Sequence, residues 1–144
     1  MKTIIAGLLS LMITEAAFAA SVKFTISQTM KIPGQVYMAI FDDARYFPKN
    51  TARAVVKVVV PVSASQSQVE KFVELPAGHY AVSFFLDANS NGKLDTNIMG
   101  IPKERFGFSN NPRILTGPPS FGEAEIEVVT GAKNTFELKL IKLF

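Results

Sequence analysis

Apolar and polar residues alternate along residues 22–30. Val22, Phe24, Ile26 and Met30 share one face, and Lys23, Thr25, Ser27 and Thr29 share the other. A period of two with one polar face predicts a half-buried strand. Pro33-Gly34 predicts a turn. Residues 36–41 are apolar on both faces, which predicts a central strand, and Asp42-Asp43 ends it. Residues 44–53 are polar around Tyr46, Phe47 and a breaking Pro48, and read as a loop or a short helical turn. Residues 55–62 are rich in β-branched side chains and predict another strand. After a polar turn at 63–67, residues 69–75 carry Val69 and Phe72 along a short strand into Pro76. Residues 80–86 read as the most buried strand. Tyr80, Val82, Phe84 and Leu86 lie on one side of it, and Ala81, Ser83 and Phe85 on the other.

The pattern then stops. Residues 88–121 show little periodicity and many Gly, Pro and Asn residues. Connections this long are uncommon in compact domains and are usually functional or disordered. Phe106, Phe108 and Ile114 favour an ordered loop packed on the domain. Alternation returns with Ala124, Ile126 and Val128 against Glu123, Glu125 and Glu127, and residues 136–144 predict a closing strand. No segment has a convincing amphipathic helical period. The fold class expected is therefore all-β: a single Ig-like or transthyretin-like β-sandwich of about seven strands with a long ordered loop.

The predicted buried strand runs straight into Asp87-Ala88-Asn89-Ser90-Asn91-Gly92-Lys93-Leu94-Asp95. Oxygen-bearing side chains stand at positions 1, 3, 5 and 9 of this stretch, with Gly at position 6, which is the spacing of a calcium loop. Ca²⁺ takes about six to eight oxygens, and alternate residues of a curled loop can aim several at one centre. Asp87, Asn89, Asn91 and Asp95 are the candidate ligands, with the Lys93 carbonyl beside them. Gly92 permits the sharp turn because it has no Cβ. Position 12, where an EF-hand carries a bidentate Glu, is Ile98. Calcium binding is therefore expected to be weak, at roughly 10⁻⁴–10⁻³ M. A plain Asx-rich turn without metal uses the same residue types.

Composition narrows the setting. Met1-Lys2 is a short basic start, residues 4–13 are an apolar run, and Ala17-Phe18-Ala19 is a small-x-small site. Together they predict a signal peptide over residues 1–19, cut before Ala20, and a β-sandwich domain over residues 20–144. An uncleaved anchor is the alternative, but Glu15 interrupts the run short of the roughly 20 apolar residues that a spanning helix needs. No later run is long enough to span as a helix. A periplasmic or secreted protein is expected, not membrane-spanning after cleavage. The chain has no Cys, which excludes thiol nucleophiles and thiolate metal sites and requires the core to hold itself together without disulfides. Its net charge of +3 comes from scattered basic residues, so no nucleic-acid partner is expected.

Leu75-Pro76-Ala77-Gly78-His79-Tyr80-Ala81-Val82 resembles the start of a strand in transthyretin-like and related Ig-like extracellular modules. Its physical sense is a turn at Pro76 and Gly78, followed by a Tyr with a buried ring and a hydroxyl that caps backbone at a sandwich corner. Phe85 to Asp95, Gly100-Ile101-Pro102-Lys103-Glu104, Phe106-Gly107-Phe108-Ser109-Asn110-Asn111 and Gly117-Pro118-Pro119-Ser120-Phe121 follow in order. In that order they resemble the bacterial family called domain of unknown function 2141. The resemblance is close from about Leu75 to Phe121 and weakest over residues 51–65. It implies an exported protein and no particular activity. The family's acidic-Asn loop is matched at Asp87, Asn89, Asn91 and Asp95.

Catalytic machinery is not visible. His79 is the only His and sits where a strand begins. No Ser has a nucleophile-elbow setting. Asp42, Asp43, Asp87 and Glu104 offer a carboxylate pair only if the fold brings them together. An outer-membrane barrel would need tilted strands of about 9–11 residues, and the long 88–121 segment leaves too little chain for them. The expected role is binding or scaffolding at the cell envelope, with an envelope protein or a glycan as partner. The alternative is a small-ligand or carbohydrate module using Arg105, Phe106, Phe108 and Arg113. N-terminal sequencing of exported material is expected to begin near Ala20; recovery of residues 1–19 in a membrane fraction would identify an anchor instead.

Overall fold

The computed structural model describes residues 19–144. Apart from Ala19, the expected signal peptide lies outside the described residues. Eight strands form two sheets. They are β1 (Ala19–Ser27), β2 (Gly34–Phe41), β3 (Val56–Val62), β4 (Gln68–Pro76), β5 (Gly78–Asp87), β6 (Phe106–Phe108), β7 (Glu125–Val128) and β8 (Asn134–Lys139). A single helical turn, α1 (Phe121–Ala124), leads into β7, and a 3₁₀ turn spans Thr51–Arg53. One sheet has the order β4-β1-β8, with β1 antiparallel to β4 and parallel to β8. The other has the order β3-β2-β5-β6, with β7 also paired to β5. The inner faces meet in one core that includes Val22, Phe24 and Ile26 of β1, Met38 and Ile40 of β2, Val82, Phe84 and Leu86 of β5, and Leu138 of β8. This is a β-sandwich, as the alternation predicts.

Alternation placed most inward residues correctly. The first strand differs at its end: β1 stops at Ser27, and Gln28, Met30 and Lys31 all have positive φ. Met30 is therefore exposed and does not join Val22, Phe24 and Ile26. Thr29 is buried in its place, and its hydroxyl donates to the Gln66 carbonyl at 2.6 Å. On β4, Val69, Val73 and Leu75 point inward, while Phe72 is on the solvent side opposite Lys23.

The long segment after β5 contains a strand that periodicity cannot show, because β6 has three residues. Phe106 and Phe108 of β6 pair with Phe85 and Ser83 of β5. Gly107 fits there because a Cβ would meet the Lys139 carbonyl and the Phe84 ring, each at 2.5 Å. A second cluster covers the outer face of the larger sheet at one end. Phe41, Ala39 and Ala81 pack there against Phe47 and Ala124, with Phe108 and Phe121 at the margin. Phe47 meets Phe41, Phe108 and Phe121 edge-on, the geometry aromatic quadrupoles favour. Residues 44–53 are thus tied to the sheet by an aromatic plug. Ser120 caps α1, accepting from the Glu123 N–H while the Glu123 carboxylate accepts from the Ser120 N–H.

The corner expected from Leu75-Pro76-Ala77-Gly78-His79-Tyr80 is present. The Tyr80 ring is buried, and its hydroxyl donates to the Pro76 carbonyl at 2.7 Å. Burial, reinforced by Asp42, pushes the Tyr80 hydroxyl pKa up. At the far end of β5 the chains come closer still. A Cβ on Gly34 would sit 2.2 Å from the Asp87 carbonyl oxygen. Only glycine lets β2 begin against the end of β5.

Two substitutions test these contacts by urea unfolding. Tyr80→Ala is expected to cost about 3–5 kcal/mol, as for other buried aromatic truncations, and Tyr80→Phe about 1 kcal/mol for the lost hydrogen bond. Gly34→Ala is expected to cost about 3 kcal/mol through overpacking against backbone that cannot move aside.

Candidate functional site

Asp87 closes β5 and is fully buried. Its position is fixed by pairing with Gln35 across β2 and by the Gly34 contact. One carboxylate oxygen, Oδ2, accepts from the Gly92 N–H at 2.8 Å. The other, Oδ1, is buried without a hydrogen-bond partner. A buried carboxylate oxygen left unpaired is costly. The chain curls over Asp87 through Ser90 and Gly92, both at positive φ. Gly92 thus takes the conformation its loop position predicts.

Two Asx turns shape the loop. Asn89 Oδ1 accepts from the Asn91 N–H at 3.4 Å, and Asn91 Oδ1 from the Lys93 N–H at 3.0 Å. Both amide groups converge on Asp95. Asn89 Nδ2 donates to its Oδ2 at 2.6 Å, and Asn91 Nδ2 to its Oδ1 at 2.8 Å. The Asn89 and Asn91 bonds hold the Asp95 carboxyl below the usual carboxylate range, with smaller help from Lys103 and Lys93. The fold therefore brings Asn89, Asn91 and Asp95 together, the Lys93 backbone belongs to the same curl, and the Gly92 N–H joins that curl to Asp87.

Glu104 joins the loop although its spacing did not mark it as a ligand. Its Oε1 accepts from the Ala88 N–H at 3.2 Å and its Oε2 from the Asp95 N–H at 3.3 Å. One carboxylate thus clamps both ends of the curl. Burial pushes the Glu104 carboxyl up, and the negative charges of Asp95 and Asp87 add to that, while its two backbone hydrogen bonds oppose it. The only sequence signal was indirect: the loop lacks an acid at position 12, and Glu104 is the next acid downstream. An open cleft beside the clamp is lined by Ala88, Asn89, Asp95, Thr96, Lys103 and Glu104.

The oxygen-only donor set and the unpaired Asp87 Oδ1 suit a hard cation such as Ca²⁺. Among the described residues, no group of three His, Cys, Asp or Glu side chains is gathered closely enough to hold an ion alone. Amide and backbone oxygens would have to complete the shell. Asn89 and Asn91 would need to turn their amides, exchanging the N–H groups aimed at Asp95 for oxygens.

The other candidates are dispersed. Asp43 is paired with Arg45 at the opposite end of β2, where Arg45 Nη2 reaches Asp43 Oδ2 at 2.6 Å. Asp42 and Asp43 therefore stand apart from Asp87 and Glu104, and of the four acids it is Asp87 and Glu104 whose charges interact. His79 is exposed, with Nδ1 3.6 Å from Glu125 Oε2. Phe106 is buried and Phe108 half-buried, their rings 6.0 Å apart and edge-on. Arg105 is half-buried; its carbonyl accepts from the Leu86 N–H at 2.8 Å, and its Nε is buried without a partner. Arg113 is exposed. The aromatic pair serves packing and offers a ligand little surface.

No curated protein and no solved structure matches the chain. Among the described residues, no helix is long and apolar enough to cross a membrane. Residues 24–137 match a single family over most of the β-sandwich, and the chain belongs to that family, described as uncharacterized protein conserved in bacteria (DUF2141).

Proposed function

We propose that this chain is an exported cell-envelope binding or scaffolding module whose Asx loop holds Ca²⁺ as a structural ion, without catalysis. The observation that carries the reading is Asp87 Oδ1, a buried carboxylate oxygen with no partner beneath a curl of Asn and Asp side chains. A cation there would supply the missing partner. Asp87, Asn89, Asn91 and Asp95 would hold it with the Lys93 carbonyl, and Glu104 would position the loop ends.

Asp87 is preorganised by the sheet, so its share of the ordering cost is met on folding. Asn89 and Asn91 of the same loop are exposed and Asp95 half-buried, which favours the irregular, flexible coordination of Ca²⁺ over the strict octahedron of Mg²⁺. The ion would tie down the start of the 96–121 segment. The export signal read in residues 1–19 supports an envelope setting.

Calorimetric titration of chelator-treated protein is expected to give Ca²⁺ binding at roughly 10⁻⁴–10⁻³ M and weaker Mg²⁺ binding. A hundredfold excess over Kd stabilises the fold by about 2.7 kcal/mol. The melting temperature should therefore rise with Ca²⁺, and residues 96–121 should resist proteolysis. Asp87→Ala should remove both responses. Identical melting and digestion in Ca²⁺ and in chelator would reduce the loop to an Asx turn.

A further inference from the structure

Two of the three most exposed large apolar side chains among the described residues, Ile98 and Met99, share one short hairpin next to the Asx loop. Ile98 has a relative exposure of 105% and Met99 of 78%. These are not residues of a loose loop. Thr96 and Pro102 form an antiparallel bridge, and the Lys103 N–H donates to the Asp95 carbonyl at 2.8 Å. Within the hairpin, the Asn97 N–H donates to the Ile101 carbonyl at 2.9 Å and the Gly100 N–H to the Asn97 carbonyl at 3.0 Å. The Asn97 side-chain Oδ1 accepts from the N–H groups of Met99 and Ile101 at 2.9 and 3.0 Å. Gly100 supplies the positive φ at which the chain turns back.

We propose that this hairpin is a membrane wedge: Ile98 and Met99 enter the interface of an anionic lipid bilayer while lysines at its base meet the headgroups. Three observations favour lipid over a protein groove. The tip protrudes and offers two side chains, far less than the roughly 800 Å² per partner of a stable protein interface, whereas shallow insertion needs only a little apolar area plus electrostatic attraction. Four of the tip's N–H groups, at Asn97, Met99, Gly100 and Ile101, are already bonded within the hairpin, which lowers the cost of bringing that backbone to an apolar medium. Cations stand at its base as well. Lys93 and Lys103 flank the hairpin and are exposed, no acid lies between residues 96 and 103, and the bordering Asp95 and Glu104 are half-buried and engaged in the loop's own hydrogen bonds. Each basic residue near an anionic surface adds attraction that falls off within a Debye length. The wedge does not require the ion proposed above.

The test is sedimentation with phosphatidylcholine vesicles, with and without phosphatidylglycerol, run separately in chelator and in Ca²⁺. Wild type is expected to bind the anionic vesicles in both conditions and to be released by high salt. Ile98→Ser with Met99→Ser should weaken binding about tenfold or more with no change in melting temperature, because neither side chain is packed. Lys93→Gln with Lys103→Gln should weaken binding to anionic vesicles alone. The chain has no Trp, so Ile98→Trp gives a single reporter, and its emission should shift to the blue on anionic vesicles. Failure to bind either vesicle, equal binding by the double serine variant, or an unshifted Trp emission would overturn the wedge. Binding that appears only with Ca²⁺ would overturn its independence from the ion. Retention of an envelope protein by wild type and not by the double serine variant, without vesicle binding, would assign the tip to a protein partner instead.

Discussion

The backbone ladder along β5 is the constraint on which the rest of the structure depends. One edge pairs with β2 from Phe41↔Ala81 to Gln35↔Asp87. The other edge is shared. β7 takes residues 78–81, β6 takes residues 83–85, and Val82 falls in the gap between them. Ser109 fills that gap. Its N–H donates to the Val82 carbonyl at 2.9 Å, its hydroxyl accepts from the Val82 N–H at 2.8 Å, and the same hydroxyl donates to the Ala124 carbonyl. A buried backbone pair left open there would cost about 1–3 kcal/mol for each unsatisfied group. One serine thus joins two short strands from distant parts of the chain into one continuous edge.

That edge explains how a segment with so little regular structure stays on the domain. The ladder fixes β6, and the bridge from Phe106 to Ile141 fastens β6 to the last stretch of the chain. From there the Arg105 carbonyl holds the Leu86 N–H, and the next residue, Glu104, clamps the loop at Ala88 and Asp95. The geometry above Asp87 is therefore set as much by β6 as by the loop's own sequence. The Tyr37 and Phe85 rings, stacked at 5.3 Å on the adjacent sheet face, stiffen the β2–β5 pair just before it ends.

What could be read from the sequence follows from the range over which each signal acts. Alternation is local, so the central strands, the buried face of β5 and the Tyr80 corner were all legible. The loop spacing was legible too, because Asp87, Asn89, Asn91 and Asp95 act within one turn of chain. Met30 misled because period two continues on paper beyond the point where the backbone turns left-handed at Gln28. β6 was hidden because three residues are too few for a period, and its strand character comes from its partner. Ser109 carries no pattern signal, and Glu104 shows only as the next acid beyond the loop. Each looks like an ordinary loop residue, and its role depends on contacts across 27 and 16 positions of sequence respectively.

The parallel pairing of β1 with β8 has a consequence in time. β1 is the middle strand of its sheet, and its second partner, β8, follows every other strand of the described residues. Until residues 134–139 are available, β1 and β4 form only a two-stranded ribbon with Phe24 and Ile26 uncovered on one side and an open edge on the other. Pairing across so long a stretch of sequence is slow, because the loop must close before any contact repays it. The smaller sheet is complete only when residues 134–139 are in place. Until then the open edge of β1 is a template for pairing with another chain.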